Sequence, residues 1–252
     1  MKYPADISAR VLAIILLLCA GCSILFGHVS LQAAKLQIER ESTYTDTPIT
    51  NKEYPYTIVI DAGHGGEDGG TQSASGLYEK TVNLAIAQML TAMLDGCGVK
   101  TVMTRQEDIL LYDRNSDYQG HKKMLDLAAR RKIAEETENA IFVSIHMNAF
   151  PETQYKGLQV FYSVNDPRSY TIANRIQEQA RLWLDMNNTR KVKAATSAIY
   201  LLDRLECPAV LVECGFLSNP EEAVKFEQEK HRQRVAFTIF CALMAQISEQ
   251  GA

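Results

Sequence analysis

Four side chains in this sequence flank short apolar runs, and their types suit metal-assisted hydrolysis. His64 follows Thr57-Ile58-Val59-Ile60-Asp61 in the segment DAGHGGEDGG, His146 follows the apolar run 141–145, and Glu213 follows Ala209-Val210-Leu211-Val212. A fourth, Glu79, precedes a helical pattern in SGLYEK. Two imidazoles and one carboxylate can hold Zn2+ with one position open for water. The ion lowers the pKa of that water toward ~7. A carboxylate outside the ligand set must then accept the proton and return it to a leaving amine. Glu213 suits that role, because an apolar neighbourhood disfavours its charged form and raises its pKa.

Taken singly, these groups are ordinary. A histidine after a strand is commonly a satisfied structural residue, and the helix dipole accounts for a glutamate at a helix start. Glu213 is harder to dismiss, since a buried carboxylate requires a partner. Among the other histidines, His28 lies in an apolar run, while His121 and His231 sit among lysines and arginines, as on solvated helices. The glycines around His64 do not make a phosphate loop. Asp68 takes the sixth place of a G-x-G-x-x-G counted from Gly63, and Thr71 stands where lysine would follow Gly65 and Gly70. Glu67 and Asp68 would also repel phosphate.

For the four groups to meet, the chain must bring distant strand ends to one edge. Strands are expected over 57–61, 99–103, 141–145, 158–162 and 209–212. Helices are expected over 80–94, 123–138 and 170–186, with a final helical region opened by Asn219 and Pro220 and reaching about Ile247. Strands alternating with helices give an α/β fold with a largely parallel central sheet. Ligands in such sheets sit at the carboxyl ends of the strands.

The 252 residues are 46% hydrophobic and 22% charged, enough apolar material for a core, which argues against wholesale disorder. Twenty-six basic against 30 acidic residues argue against nucleic acid as a partner. The six cysteines lack the regular spacing of a disulfide scaffold, and the Cys19–Cys22 pair has no companion ligands for a zinc ribbon. From Val11 to Ala34 no residue carries a formal charge. As a helix this run would span roughly 36 Å, enough for a bilayer. Lys2 and Arg10 precede it, which favours a cytoplasmic N-terminus and an exported remainder. A cleaved signal peptide and a lipid-modified Cys22 are the alternatives. The expected organisation is a membrane anchor or signal segment over 1–34, a polar tether over 35–55, and a catalytic domain over 56–252.

The segments IVIDAGHGGEDGG, the glutamate of GLYEK, SIHMNA and AVLVECGFLSNPEE, in that order, resemble the zinc-dependent N-acetylmuramoyl-L-alanine amidases of the bacterial cell wall. The resemblance runs from about residue 56 to 247. It implies an α/β fold whose mostly parallel or mixed sheet has about six strands flanked by helices. It also implies zinc held by His64, Glu79 and His146, with Glu213 catalytic. The implied reaction is hydrolysis of the amide joining N-acetylmuramic acid to L-alanine of the stem peptide, with peptidoglycan as substrate and room for an activating partner protein. Asn148 would orient a ligand or the substrate, or simply serve a turn. SGLYEKTVNL, GLQVFYS and AIYLLDRLECPAVLVECGFLSNPEE most resemble the germination-specific amidases of spore formers, which act in cortex synthesis on the way to muramic-δ-lactam. One departure is the polar run LLYDRNSDYQGHKKMLDLAAR, read as a solvated loop that could rim the groove.

Three other readings stay open on the residues alone. One is a general wall-remodelling amidase. Another is a metallocarboxypeptidase, in which the H-x-x-E spacing makes Glu67 the ligand in place of Glu79. The third is a wall-binding module without activity. The expected location is the outer face of the cytoplasmic membrane, or release into the wall or spore cortex.

Overall fold

The computed structural model describes residues 54–112 and 120–249. Six strands among them form one sheet: β1 (Thr57–Ala62), β2 (Lys100–Met103), β3 (Ala140–Asn148), β4 (Gln159–Tyr162), β5 (Lys193–Ala194) and β6 (Ala209–Phe216), in the order β2-β1-β3-β6-β4-β5. Strands β2, β1, β3 and β6 run parallel, and β4 pairs antiparallel with β6 and parallel with β5. The sheet is therefore mixed. Its helices are α1 (Glu79–Asp95), α2 (Lys122–Glu136), α3 (Arg168–Trp183), α4 (Tyr200–Arg204), α5 (Pro220–Glu227) and α6 (Glu229–Glu249).

Side chains alternate along each strand between two apolar layers. Ile58, Ile60 and Ala62 of β1 join Ile141, Val143 and Ile145 of β3 and Val210 and Val212 of β6 in the larger layer. That layer is closed by Val82, Ile86, Leu90 and Leu94 of α1, spaced four apart on one helix face, with Ile172 and Ile176 of α3 and Ile239 and Leu243 of α6. Each such side chain contributes about 1.5–3 kcal/mol on burial. On the opposite face Val59, Phe142 and Leu211 meet Ala134 of α2 and Leu201, Leu202 and Leu205 around α4.

This arrangement decides where a site can form. From β1 the chain crosses through α1 to β2 on one side, and from β2 it crosses through α2 to β3 on the other. The crevice beyond the carboxyl ends of β1 and β3 is thus a switch point of the topology, where no crossover connection covers the sheet edge.

Several expectations are corrected. β3 and β6 run on past 145 and 212, so His146 and Glu213 lie within strands rather than after them. The parallel pairing continues through His146 opposite Glu213 and, past a register shift, Asn148 opposite Phe216. The final helical region breaks at Gln228 into α5 and α6, with the Asn219 side chain accepting from Glu222 N and Pro220 at the first turn. Two-residue β5 and five-residue α4 were not expected. His231 is half-buried rather than solvated. Its ring packs edge-on against Phe226 at 4.8 Å, and burial, with Lys225 and Arg234 nearby, lowers its pKa to about 4. Cys97, Cys207, Cys214 and Cys241 are free thiols. The expected membrane segment and most of the tether lie outside the described residues, and among the described ones no helix is long and apolar enough to cross a membrane.

Candidate metal centre

His64 sits in the β1–α1 loop with a left-handed backbone, φ 63°. A β-carbon on the preceding Gly63 would lie 2.2 Å from His146 Nε2, so a side chain there would push the imidazole away. Glu79 is the first residue of α1, where its charge meets the positive end of the helix dipole. His146 of β3 stands directly opposite Glu213 of β6 in the parallel register. Strand alternation puts both on the layer shared by Phe142 and Leu211.

The structure brings three of these groups to one point. Glu79 Oε1 lies 3.2 Å from His64 Nε2 and 3.0 Å from His146 Nδ1. The same oxygen accepts the Met147 N–H at 2.9 Å and an Asn83 Nδ2 hydrogen at 3.3 Å, while Oε2 accepts the Thr71 N–H at 2.9 Å. One donor atom from each of His64, Glu79 and His146 falls within 4.8 Å of the others, a separation one cation can bridge. Burial works against the charge on Glu79, but hydrogen bonds from His146 and His64 outweigh it and hold the carboxyl well below its usual range. Asp68 Oδ2 lies 2.9 Å from His64 Nδ1, which leaves Nε2 turned toward Glu79. Burial alone would lower the His64 pKa; the flanking carboxylates of Asp68 and Glu79 raise it to about 9. A carboxylate at that distance favours the protonated ring.

Glu213 stands beside this cluster. Among the described residues its Oε2 is buried and has no hydrogen-bond partner. Burial pushes its pKa up to about 7, helped by Glu79 and opposed by His146 and His64. Buried carboxylate oxygens are rarely left without partners, and such an exception calls for a functional reason.

Residues that spacing alone did not single out support the cluster. Arg130 of α2 is 1% exposed and donates to Asp61 Oδ1, Ala62 O, His64 O and Asp126 Oδ2, each at 2.7 Å. Arg105 donates to Ala62 O at 2.8 Å and Gly63 O at 3.1 Å. Three successive carbonyls are thus turned onto two guanidinium groups, which hold the His64 loop in its left-handed conformation. Asp61 also accepts from Thr104 and Ser144. A signal for this pairing was present: an aspartate closing a buried strand needs a cation.

Other expectations resolve differently. Glu67 is not in the cluster; its carboxylate is largely exposed and pairs with Lys122 at 2.6 Å. Asn148 ends β3 at a register shift, and its carbonyl accepts the Leu217 N–H. The run after Ile109 is only partly solvated. Asp108 accepts from Gly66 N and Lys80, and Leu111 N donates to Asp126, which packs 108–111 onto the His64 loop. Residues 113–119 lie outside the described part.

Known proteins resemble this chain in sequence and architecture. A germination-specific N-acetylmuramoyl-L-alanine amidase of Bacillus subtilis is 35% identical over 194 residues, covering 77% of this chain and 81% of that protein. The amidase LytC of the same organism is 31% identical over 201 residues, covering 79% of this chain and 37% of that longer protein. The solved CwlD amidase of Clostridioides difficile, in complex with the GerS lipoprotein, superposes with a TM-score of 0.72 at 35% identity, covering 77% of this chain and 99% of that one. With residues 58–245 matching the family described as N-acetylmuramoyl-L-alanine amidase, the chain belongs to that family of peptidoglycan-cleaving enzymes.

Proposed function

We propose that His64, Glu79 and His146 hold a zinc ion and that Glu213 transfers the proton in hydrolysis of the muramoyl–L-alanine amide. The observation carrying this reading is the convergence of three donor atoms within 4.8 Å beside a buried, unpartnered Glu213 oxygen. Two imidazoles and a carboxylate are the donor set of catalytic zinc sites. The ion, when bound, polarises the scissile carbonyl and acidifies water. Glu213, with a pKa near neutrality, accepts the proton that water gives up as its oxygen bonds to the carbonyl carbon. It then delivers that proton to the alanine nitrogen as the C–N bond breaks, so acid and amine leave with one water consumed. Asp68 keeps His64 oriented, and the Arg130 and Arg105 clamps keep its loop from drifting. The metallocarboxypeptidase alternative loses its ligand, since Glu67 points to solvent and to Lys122.

The likeness to a germination-specific amidase supports a role in spore cortex maturation, with muramic-δ-lactam downstream. The match to LytC supports a general wall-remodelling role as the second reading. The neighbour solved with a lipoprotein supports an accessory partner here as well. The uncharged run from Val11 to Ala34 supports export and anchoring at the outer face of the membrane, with a cleaved segment as the alternative.

The test is mass spectrometry of peptidoglycan incubated with zinc-loaded full chain. Release of stem peptides with a free L-alanine amine is expected, and cleavage only at a peptide carboxyl terminus would refute the assignment. Glu213→Gln should keep zinc stoichiometry while losing roughly 10²–10⁴-fold in turnover.

A further inference from the structure

Beyond Glu213 the sheet edge continues into a wall of rings. Glu213 pairs in register with Gln159 of β4, whose Oε1 accepts from Arg190 NH1 at 3.0 Å. The Arg190 guanidinium lies over the Phe216 ring at 4.5 Å, Phe216 lies 6.4 Å from Tyr155, and Tyr155 meets Phe150 edge-to-face at 5.0 Å. The inner members are partly or fully buried, but Phe150 and Tyr155 are 50% and 42% exposed. Phe150 is four residues past His146 and so within about 14 Å of it along the chain.

The outer rings do not sit on a loose loop. Phe150 N donates to Ser218 Oγ at 3.0 Å, Asn219 Nδ2 donates to Thr153 O at 2.8 Å, and Gly157 N donates to both Glu222 oxygens at 3.1 and 3.2 Å. Beginning, middle and end of the 149–157 connection are therefore pinned to the segment that leaves β6. Two large aromatics held half-exposed on a fixed backbone, and joined by packing to the strand that carries Glu213, offer a surface on which a ligand can dock.

The geometry points to a subsite for the glycan strand: we propose that Phe150 and Tyr155, set perpendicular to each other, form a corner that takes a pyranose ring of the peptidoglycan backbone, one ring offering its face and the other its edge, and so register the neighbouring muramoyl amide against Glu213. This rests on the reading of His64, Glu79, His146 and Glu213 as the hydrolytic centre. A pyranose presents an apolar C–H face bordered by polar edges. The negative faces of aromatic rings attract those polarised C–H groups, and the polar side chains and backbone around the rings can meet the edges. Continuity from Glu213 through Gln159, Arg190 and Phe216 ties the surface to the cleft.

The test is calorimetric binding of peptide-free glycan strands, alternating N-acetylglucosamine and N-acetylmuramic acid, to the full chain carrying Glu213→Gln. Added singly, Phe150→Ala and Tyr155→Ala should each weaken binding by about tenfold, the range expected for one aromatic contact, while Tyr155→Phe should retain it. Free stem peptide is the second probe and should bind alike in all variants. No measurable glycan binding without the added substitutions, binding untouched by both alanine changes, or a loss confined to stem peptide would each overturn the proposal. The last outcome would make the wall a peptide subsite. Binding needs no turnover, so failure of the hydrolytic reading would appear separately, as absence of peptide release by the unsubstituted chain.

Discussion

Gly63 and Gly70 lack side chains for a reason that concerns the cluster rather than phosphate. A β-carbon on Gly63 would lie 2.2 Å from His146 Nε2, and one on Gly70 would lie 2.5 Å from Glu79 Oε2 in a backbone with φ 66°. The glycines that suggest a nucleotide loop therefore admit an imidazole and a carboxylate. Gly63→Ala should leave β1 intact, since it follows the strand, yet displace the His146 ring. The expected result is reduced zinc stoichiometry with turnover down about 100-fold, the usual scale for an ångström of misplacement. Metal analysis and peptide release at unsubstituted levels would overturn this account. The meeting of His64, Glu79 and His146 was legible as a possibility, with Glu213 as a further candidate, because few residue types can ligate a metal or move a proton. Asp68 was not, since its role depends on a contact with His64 Nδ1 that the loop makes only when folded.

The elements show the same division between local pattern and tertiary contact. Continuous apolar runs announced β1, β3 and β6, and three- and four-residue spacing announced α1, and with them the edge on which the cluster forms. Short β5 and α4 have too few residues to carry a period. The helix expected over 123–138 forms as α2, but its sequence was silent about Arg130, whose burial follows from meeting Asp61 across the sheet face. Arg130→Met should destabilise the fold by about 3–5 kcal/mol in urea denaturation, because it leaves Asp61 and Asp126 buried without their cation. Burial works to raise the Asp61 pKa, but Arg130, the Ser144 hydrogen bond and His146 together outweigh it and the folded value lies below the ordinary one. Its stabilisation is thus complete above the unfolded carboxylate range near ~4 and is lost as pH falls through the folded value. The stability gap between the two proteins should narrow in acid. A gap of constant size from neutral pH down to about 3 would show that Asp61 is not the partner that matters.

At the scale of the whole domain, the three candidate donors come from a loop, a helix start and a strand, so an ion bound there as proposed would tie together elements that the core holds only from below. Zinc at 100 times its dissociation constant would add about 2.7 kcal/mol of stability. For a domain of this size that raises the melting temperature by roughly 5–10 °C. Chelation should reverse the shift and abolish peptide release, and both should return when zinc is restored. The same geometry sets the pH dependence of loading. In the metal-free cluster Asp68 and Glu79 hold the His64 pKa at about 9, so at neutral pH its imidazole carries a proton that a ligand nitrogen cannot keep. Zinc must displace that proton, and its affinity should therefore climb with pH until the His64 pKa is passed. Calorimetric titration of the metal-free chain in two buffers of different ionisation enthalpy would count the protons released. Close to one per zinc from this site near neutrality is expected, falling above pH about 9. Release of none at neutral pH would mean that His64 is already neutral there, and that the two carboxylates do not act on it together.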